Sequence, residues 1–265
     1  MSYLGYRGAD ADTSFGEFFR PEMAELPRHV VTALEHGPQA EPVLAAFEDA
    51  GELLADGYQR TENGYGTARG GGLQVSVRTD MPGVTPQMWD WWFGWHGCDP
   101  RRYKLWHPRA HVSARWSDGA DSEAYLGRTS LVQEYLGSQF ARAAIQFVPP
   151  HRVGLDEDRL AGGVAICARL GSSDVPVDIG WLIHHVRRTP DGAEMRSRFW
   201  MGGRHVALRS GKSGGLGTPG TNVAGRVIKP IAARQLPHPR DLMVHCAQEM
   251  NHLAGFLPEL YARFH

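Results

Sequence analysis

Between residues 73 and 200 one strand-like segment follows another with a single short helical stretch among them, and that order argues against a doubly wound parallel sheet, where helices alternate with strands. Leu73, Val75 and Val77 alternate with Gln74, Ser76 and Arg78, the two-residue period of a half-buried strand. Thr85-Pro86 is a good helix start and predicts a short helix over 86–94. Further strands are predicted at 103–116, 129–135, 139–147, 163–170, 179–187 and 194–200, with Thr189-Pro190-Asp191-Gly192 as the hairpin turn between the last two. The chain then ends in a long amphipathic pattern over 240–264. The fold class this predicts is α+β: a curved antiparallel sheet closed by one long C-terminal helix across its concave face, with a cavity between them.

Residues 1–68 look different. Two helical patterns, 21–34 and 41–54, are separated by Gly37-Pro38, and Val43, Leu44, Phe47 and Leu54 make one apolar face of the second. A glycine-rich link through Gly64, Gly66 and Gly70-Gly71-Gly72 marks a plausible boundary, giving an N-terminal helical region over 1–68 and a main domain over 69–265.

The 265 residues suffice for one sizeable core. A formal net charge of -1 supplies no electrostatic reason to expect nucleic acid or an anionic membrane as partner. No apolar run approaches the roughly 20 residues that span a bilayer, and the first residues lack the basic flank and apolar run of a secretion signal. Cys98, Cys167 and Cys246 are widely spaced, so neither a disulfide framework nor a thiolate metal site is indicated. A reduced, cytoplasmic protein is the default expectation.

Thirteen histidines invite a search for a site. His245 and Glu249 stand four residues apart in the C-terminal pattern, which stacks an imidazole and a carboxylate on one helix face. Such a pair is half of a metal site, with zinc the usual guest, or else a solvated i,i+4 pair. In a regular strand over 103–111, Tyr103, His107 and His111 share one face and could all point inward. Glu134 lies in an apolar run, where a buried carboxylate needs a cation or hydrogen-bonding partner. His184 and His185 are adjacent, so a strand points one of them inward. Two histidines and two glutamates make a tetrahedral oxygen and nitrogen set.

The glycine-rich stretch 202–225 holds two further motifs. Gly211-Lys212-Ser213 lacks the glycine that a phosphate loop needs five positions earlier, where Val206 stands. Gly211-Lys212-Ser213-Gly214-Gly215 satisfies G-x-S-x-G, but Leu216-Gly217-Thr218-Pro219-Gly220 cannot open the helix that a nucleophile elbow requires. A loop over the cavity mouth is the reading preferred here.

Together, Trp91-Trp92-Phe93-Gly94-Trp95-His96, Arg102-Tyr103-Lys104-Leu105-Trp106-His107-Pro108, Arg196-Ser197-Arg198-Phe199-Trp200 and His245-x-x-x-Glu249 resemble the diacetylphloroglucinol hydrolase family, which includes phloretin hydrolase, over roughly residues 70–255. The resemblance implies a Bet v 1-like helix-grip fold with a small N-terminal helical region. It also implies a zinc-dependent hydrolase that cleaves the carbon–carbon bond between an acyl carbonyl and a polyphenol ring, as in mono- or diacetylphloroglucinol. By the resemblance, the helix ligands fall on His245 and Glu249, the strand glutamate on Glu134, and the first histidine ligand on His111 or His107. His111 is favoured because Tyr103, in the position of the family's substrate-binding tyrosine, precedes it by eight residues. The catalytic histidine best fits His184, with Tyr103 beside it. In the substrate pocket, with His107, Phe199 stands where the family has a second tyrosine and Ala114 where it has an asparagine; both changes remove a hydrogen bond. The implied partner is a small aromatic ketone. The sequence leaves the oligomeric state open, two-fold homodimers being the commonest assembly. The competing reading is a non-catalytic helix-grip protein that binds an aromatic or hydrophobic ligand.

Overall fold

The computed structural model describes residues 4–40, 42–68, 70–209, 228, 230 and 232–265. The motifs at 211–215, with Ser213, lie outside them. Among the described residues nine strands form one antiparallel sheet: β1 (Gly64–Ala68), β2 (Gly72–Pro82), β3 (His111–Trp116), β4 (Thr129–Leu136), β5 (Gln139–Val148), β6 (Val164–Ser172), β7 (Val177–Thr189), β8 (Gly192–Gly202) and the short β9 (Ala207–Leu208). Their order is β1-β2-β8-β7-β6-β5-β4-β3, with β9 added beside β7. From β4 to β8 each strand pairs with its predecessor, and β2 pairs with β8, the last long strand. Helices that accompany the sheet among the described residues include α1 (Arg28–His36), α2 (Pro86–Trp95), α3 (Pro100–Trp106), α4 (Pro239–Ala254) and α5 (Leu257–Phe264). Helix α4 touches β1 and β2 at one end of the strand order and β4 near the other, so the sheet curls round it. This is the α+β helix grip expected.

Both faces of the sheet are covered, which explains why β6 and β7 read as near-continuous apolar runs rather than alternating ones. The concave face carries the main core with α2, α4 and α5. On the other face Val43, Leu44, Ala50 and Leu53 pack against Ile183, Trp181 and Trp200. Phe47 stacks on Trp181 with ring centroids 5.0 Å apart. Strand β1, which lies within the glycine-rich link, pairs with β2 along its whole length.

Three elements differ from expectation. The segment 103–116 is not one strand: α3 ends at Trp106 and β3 begins at His111. Asp99 caps α3 by accepting from the Arg101 N–H at 2.8 Å, Pro100 supplies a preset first turn, and Pro108 prevents the helix from continuing. The C-terminal pattern is two helices broken at Gly255 and Phe256, where Phe256 leaves helical geometry and Pro258 begins a new first turn. Both pieces bury one face, so the apolar periodicity ran through the break. In the N-terminal region α1 starts only after Pro27, and 47–54 forms 3-10 turns with a kink at Asp49 in place of an α-helix.

The outer cover also holds a charge cluster. Arg196 and Arg198 on β8 are almost completely buried, and Glu62 accepts from both, at 2.7 Å from Arg196. Burial alone raises the Glu62 carboxyl, but the two guanidinium groups outweigh it and hold the group below the usual carboxylate range. Removing this one charge leaves two desolvated cations unpaired. Glu62→Gln is expected to lose about 3–5 kcal/mol of stability, read as a lower urea midpoint at unchanged slope; a loss under about 1 kcal/mol would contradict the role assigned to Glu62.

Candidate metal centre

Four elements deliver the convergent side chains. Helix α4 contributes His245 and Glu249 from one face, β3 contributes His111 from its first residue, β4 contributes Glu134, and α3 contributes Tyr103. His111 is opposite Glu134 in the β3–β4 ladder, immediately before a register shift that turns the rest of β3. Gly137 allows the β4–β5 turn to approach the first turn of α4: its φ is +64°, and a Cβ there would meet the Asp241 carboxylate at 2.4 Å.

Nε2 of His111 lies 3.4 Å from Nε2 of His245 and 3.4 Å from Glu249 Oε2; His245 Nε2 is 3.6 Å from that same oxygen. Glu134 Oε2 lies 3.6 Å from His111 Nε2 and 3.8 Å from His245 Nε2. Ligands about 2.0–2.1 Å from a tetrahedral ion are separated by about 3.3 Å, close to these edges. The chemistry agrees with the geometry. His111 donates its Nδ1–H to the Tyr103 carbonyl at 2.9 Å, so its Nε2 carries a lone pair towards the cluster. Nitrogens and carboxylates that present only lone pairs to one another repel unless a cation or shared protons lie among them. His111, His245 and Glu249 therefore fit a divalent ion, and Glu134 lies beside them.

Without a cation the site is electrostatically costly. Burial pushes Glu249 well above the usual carboxylate range, with the Glu134 charge adding to it, and burial also raises Glu134. Burial, then the neighbouring His245 and His107, holds His111 well below its ordinary value, while burial lowers His245 to about 4. The Tyr103 hydroxyl donates to Glu134, and its ring lies flat on His111, centroids 3.7 Å apart. Burial, followed by the Glu134 and Glu249 charges, keeps this phenol protonated.

The cluster borders a cavity of about 310 Å³. Tyr103, Glu134, His184, Phe199, His245 and Glu249 line it. His184 Nδ1 is 2.7 Å from the Ser197 hydroxyl, and burial lowers the ring to about 3, so it is neutral near pH 7. Two residues expected in the pocket are placed elsewhere. His107 is stacked behind His245, centroids 4.9 Å apart, with its Nε2 3.4 Å from Gln248, so of the two histidines left open it is His111 whose Nε2 enters the cluster. Ala114 is fully buried in the core and does not border the cavity.

Sequence reasoning missed Ser197 and the aromatic residues Phe93, Trp106 and Phe147 that wall the cavity. Ser197 was accessible: with Thr189 and Gly192 paired across the turn, five residues back on β7 and five forward on β8 set His184 opposite Ser197. Phe93 and Trp106 belonged to quoted motifs, but nothing in their spacing specified which rings turn inward.

Comparison with known proteins gives one consistent result. The profile of the family described as DAPG hydrolase PhiG domain matches residues 44–262. The 2,4-diacetylphloroglucinol hydrolase of Pseudomonas protegens is 31% identical over 281 residues, covering 99% of this chain and 88% of that protein. The phloretin hydrolase of Eubacterium ramulus is 28% identical over 278 residues, covering 98% and 93% respectively. Among solved structures, the major latex-like protein 151 of Panax ginseng is similar with a TM-score of 0.34 and 9% identity, covering 66% of this chain and 97% of that one.

Beside the cavity, His96 is buried, hydrogen-bonded through Nδ1 to the Trp92 carbonyl at 2.8 Å, and lowered by burial to about 4. In the unfolded chain it titrates near 6.5. Between those values the unfolded state binds more protons, so this group makes stability rise with pH up to about 6.5 and contributes no slope above. Stability is therefore expected to fall between pH 7.5 and pH 5, by about 2 kcal/mol from His96 alone. His96→Phe should reduce that difference by a similar amount in urea titrations at the two pH values; an unchanged difference would contradict the assignment.

Proposed function

Because the chain belongs to the 2,4-diacetylphloroglucinol hydrolase family, we propose that it is a hydrolase that cleaves the carbon–carbon bond between an acyl group and a polyphenol ring, with zinc as its metal. The observation that carries the reading is the convergence of His111, His245, Glu249 and Glu134 at the wall of a largely apolar cavity that also holds a tyrosine and a neutral histidine. A two-histidine, two-carboxylate donor set suits zinc.

In the net reaction the oxygen of water bonds to the acyl carbon, the aryl–acyl bond breaks, and the ring carbon takes a proton. The products are a carboxylic acid and the deacylated phenol. Ring hydroxyls ortho and para to the acyl group make this possible, because they stabilise the departing ring as the enolate of a β-diketone-like tautomer. Bound zinc would supply Lewis acidity at the acyl carbonyl and acidify water.

The protein's own groups do the rest. Tyr103 keeps its proton through burial and donates it in a hydrogen bond to Glu134, so its hydroxyl oxygen is fixed at the cluster's edge, where it can accept from a phenolic hydroxyl. His184 is neutral and steadied by Ser197, which suits it to pass a proton between phenolic oxygen and ring carbon. Phe93, Trp106, Phe147 and Phe199 present aromatic walls to the ring and exclude water. Phe199 has no hydroxyl to offer, so ring hydroxyls are held from the Tyr103 and His184 sides.

Purified protein is expected to convert monoacetylphloroglucinol to acetate and phloroglucinol, and a chelator to stop it. Tyr103→Phe should lower kcat by about 100-fold or more while metal content stays unchanged. Glu249→Gln should abolish turnover. Undiminished turnover in Glu249→Gln, or in protein stripped of metal, would overturn the scheme.

A further inference from the structure

The cavity changes chemistry along its length, and the strand register shows how. In one row across the sheet Phe147 stands level with Leu182 and Phe199. One step along, Ile145 is level with Leu170 and Met201, with Gly180 between them. Ala143 and then Ala141 continue along β5 on the same side. The deep end is thus aromatic and buried, with His184 beside it. Towards the other end the β5 wall is aliphatic, and Ala141, Ala143 and Ile145 remain partly exposed. Among the described residues, Phe140, Arg142, Asp174 and Arg234 form an exposed rim there.

The metal cluster stands beside the aliphatic part: Glu134 is paired directly with Ala141. From Ala141 to Ile145 the wall runs for about 13 Å of strand. The single methyl of an acetyl group covers little of it, and uncovered apolar wall leaves burial free energy unused. Resting on the function proposed above, we propose that this aliphatic channel is an acyl-chain subsite. The carbonyl lies at the cluster beside Ala141, the ring lies next to it against Tyr103, Trp106 and Phe93, and an alkyl chain of several carbons runs inward along β5 past Ala143 and Ile145. The substrates it selects are acylated polyphenols with medium-length aliphatic acyl groups rather than acetyl alone.

Non-cleavable alkylphenols test the channel separately from the chemistry. Calorimetric titration of the purified protein with 4-hexylresorcinol and 4-ethylresorcinol should show the hexyl compound bound at least tenfold more tightly, each buried methylene contributing up to about fourfold. Ala143→Leu, which fills the channel from a partly exposed position, should bring that ratio towards one, and Ile145→Ala, which thins its wall, should also lower it. The same order is expected in kcat/KM for hexanoyl- against acetylphloroglucinol. Equal affinity for the two resorcinols, or a ratio that neither variant alters, overturns the channel even if acetylphloroglucinol is cleaved. A chain-length ratio that responds to the variants, with no ketone hydrolysed, would support the channel and defeat the proposed reaction instead.

Discussion

Two imidazole nitrogens and two carboxylates brought edge to edge inside a largely apolar cavity are the constraint on which the rest of the structure depends. Isolated, such groups would be driven neutral by burial, the acids protonated and the histidines deprotonated, and the directions of their shifts follow that rule. One divalent cation would reverse the balance by giving the lone pairs a common partner. The scaffold holds the groups in place for it. The His111 ring is fixed by the Tyr103 carbonyl behind it and the Tyr103 ring over it, and Glu134 is fixed by the Tyr103 hydroxyl. Tyr103 thus supports two of the four groups and also faces the cavity.

The fold makes this arrangement affordable in conformational terms because each contributing element is anchored elsewhere. Helix α4 packs on β1, β2 and β4. The convex face of the sheet is sealed by Val43, Leu44, Ala50 and Leu53 and by the Glu62 cluster with Arg196 and Arg198. Strands β7 and β8, which carry His184 and Phe199, are therefore packed on both sides. Rigid supports of this kind hold reacting groups in register without the cost of ordering them when substrate arrives.

How much of this the sequence revealed depended on how local the signal was. His245 and Glu249 were legible because a helix repeats every 3.6 residues and both sit in one unbroken segment. Glu134 stood out as a charge in an apolar run. The β7–β8 hairpin was legible from its turn, whereas the choice of His184 over His185 came from the family resemblance. Tyr103 and His111 were named for the right neighbourhood through the wrong geometry: a strand would place them on one face, whereas a helix, a Pro108 bend and a fresh strand bring ring onto ring. Alternation in Tyr-Lys-Leu-Trp-His cannot by itself distinguish a short capped helix from a strand. The 3-10 turns at 47–54 were misread as a helix because their apolar residues face the sheet at spacings a helix would also satisfy. Ala114 was assigned to the pocket through the family resemblance and His107 through strand alternation, and the chain's path past His111 turns both away.

Elemental mass spectrometry of the purified, folded protein tests the central claim most directly. About one zinc per chain is the result this account predicts, with the metal lost from His245→Ala while circular dichroism shows the fold retained. Fully folded protein with no divalent metal, unable to take up added zinc, would contradict it and leave the four converging groups without the cation their chemistry requires.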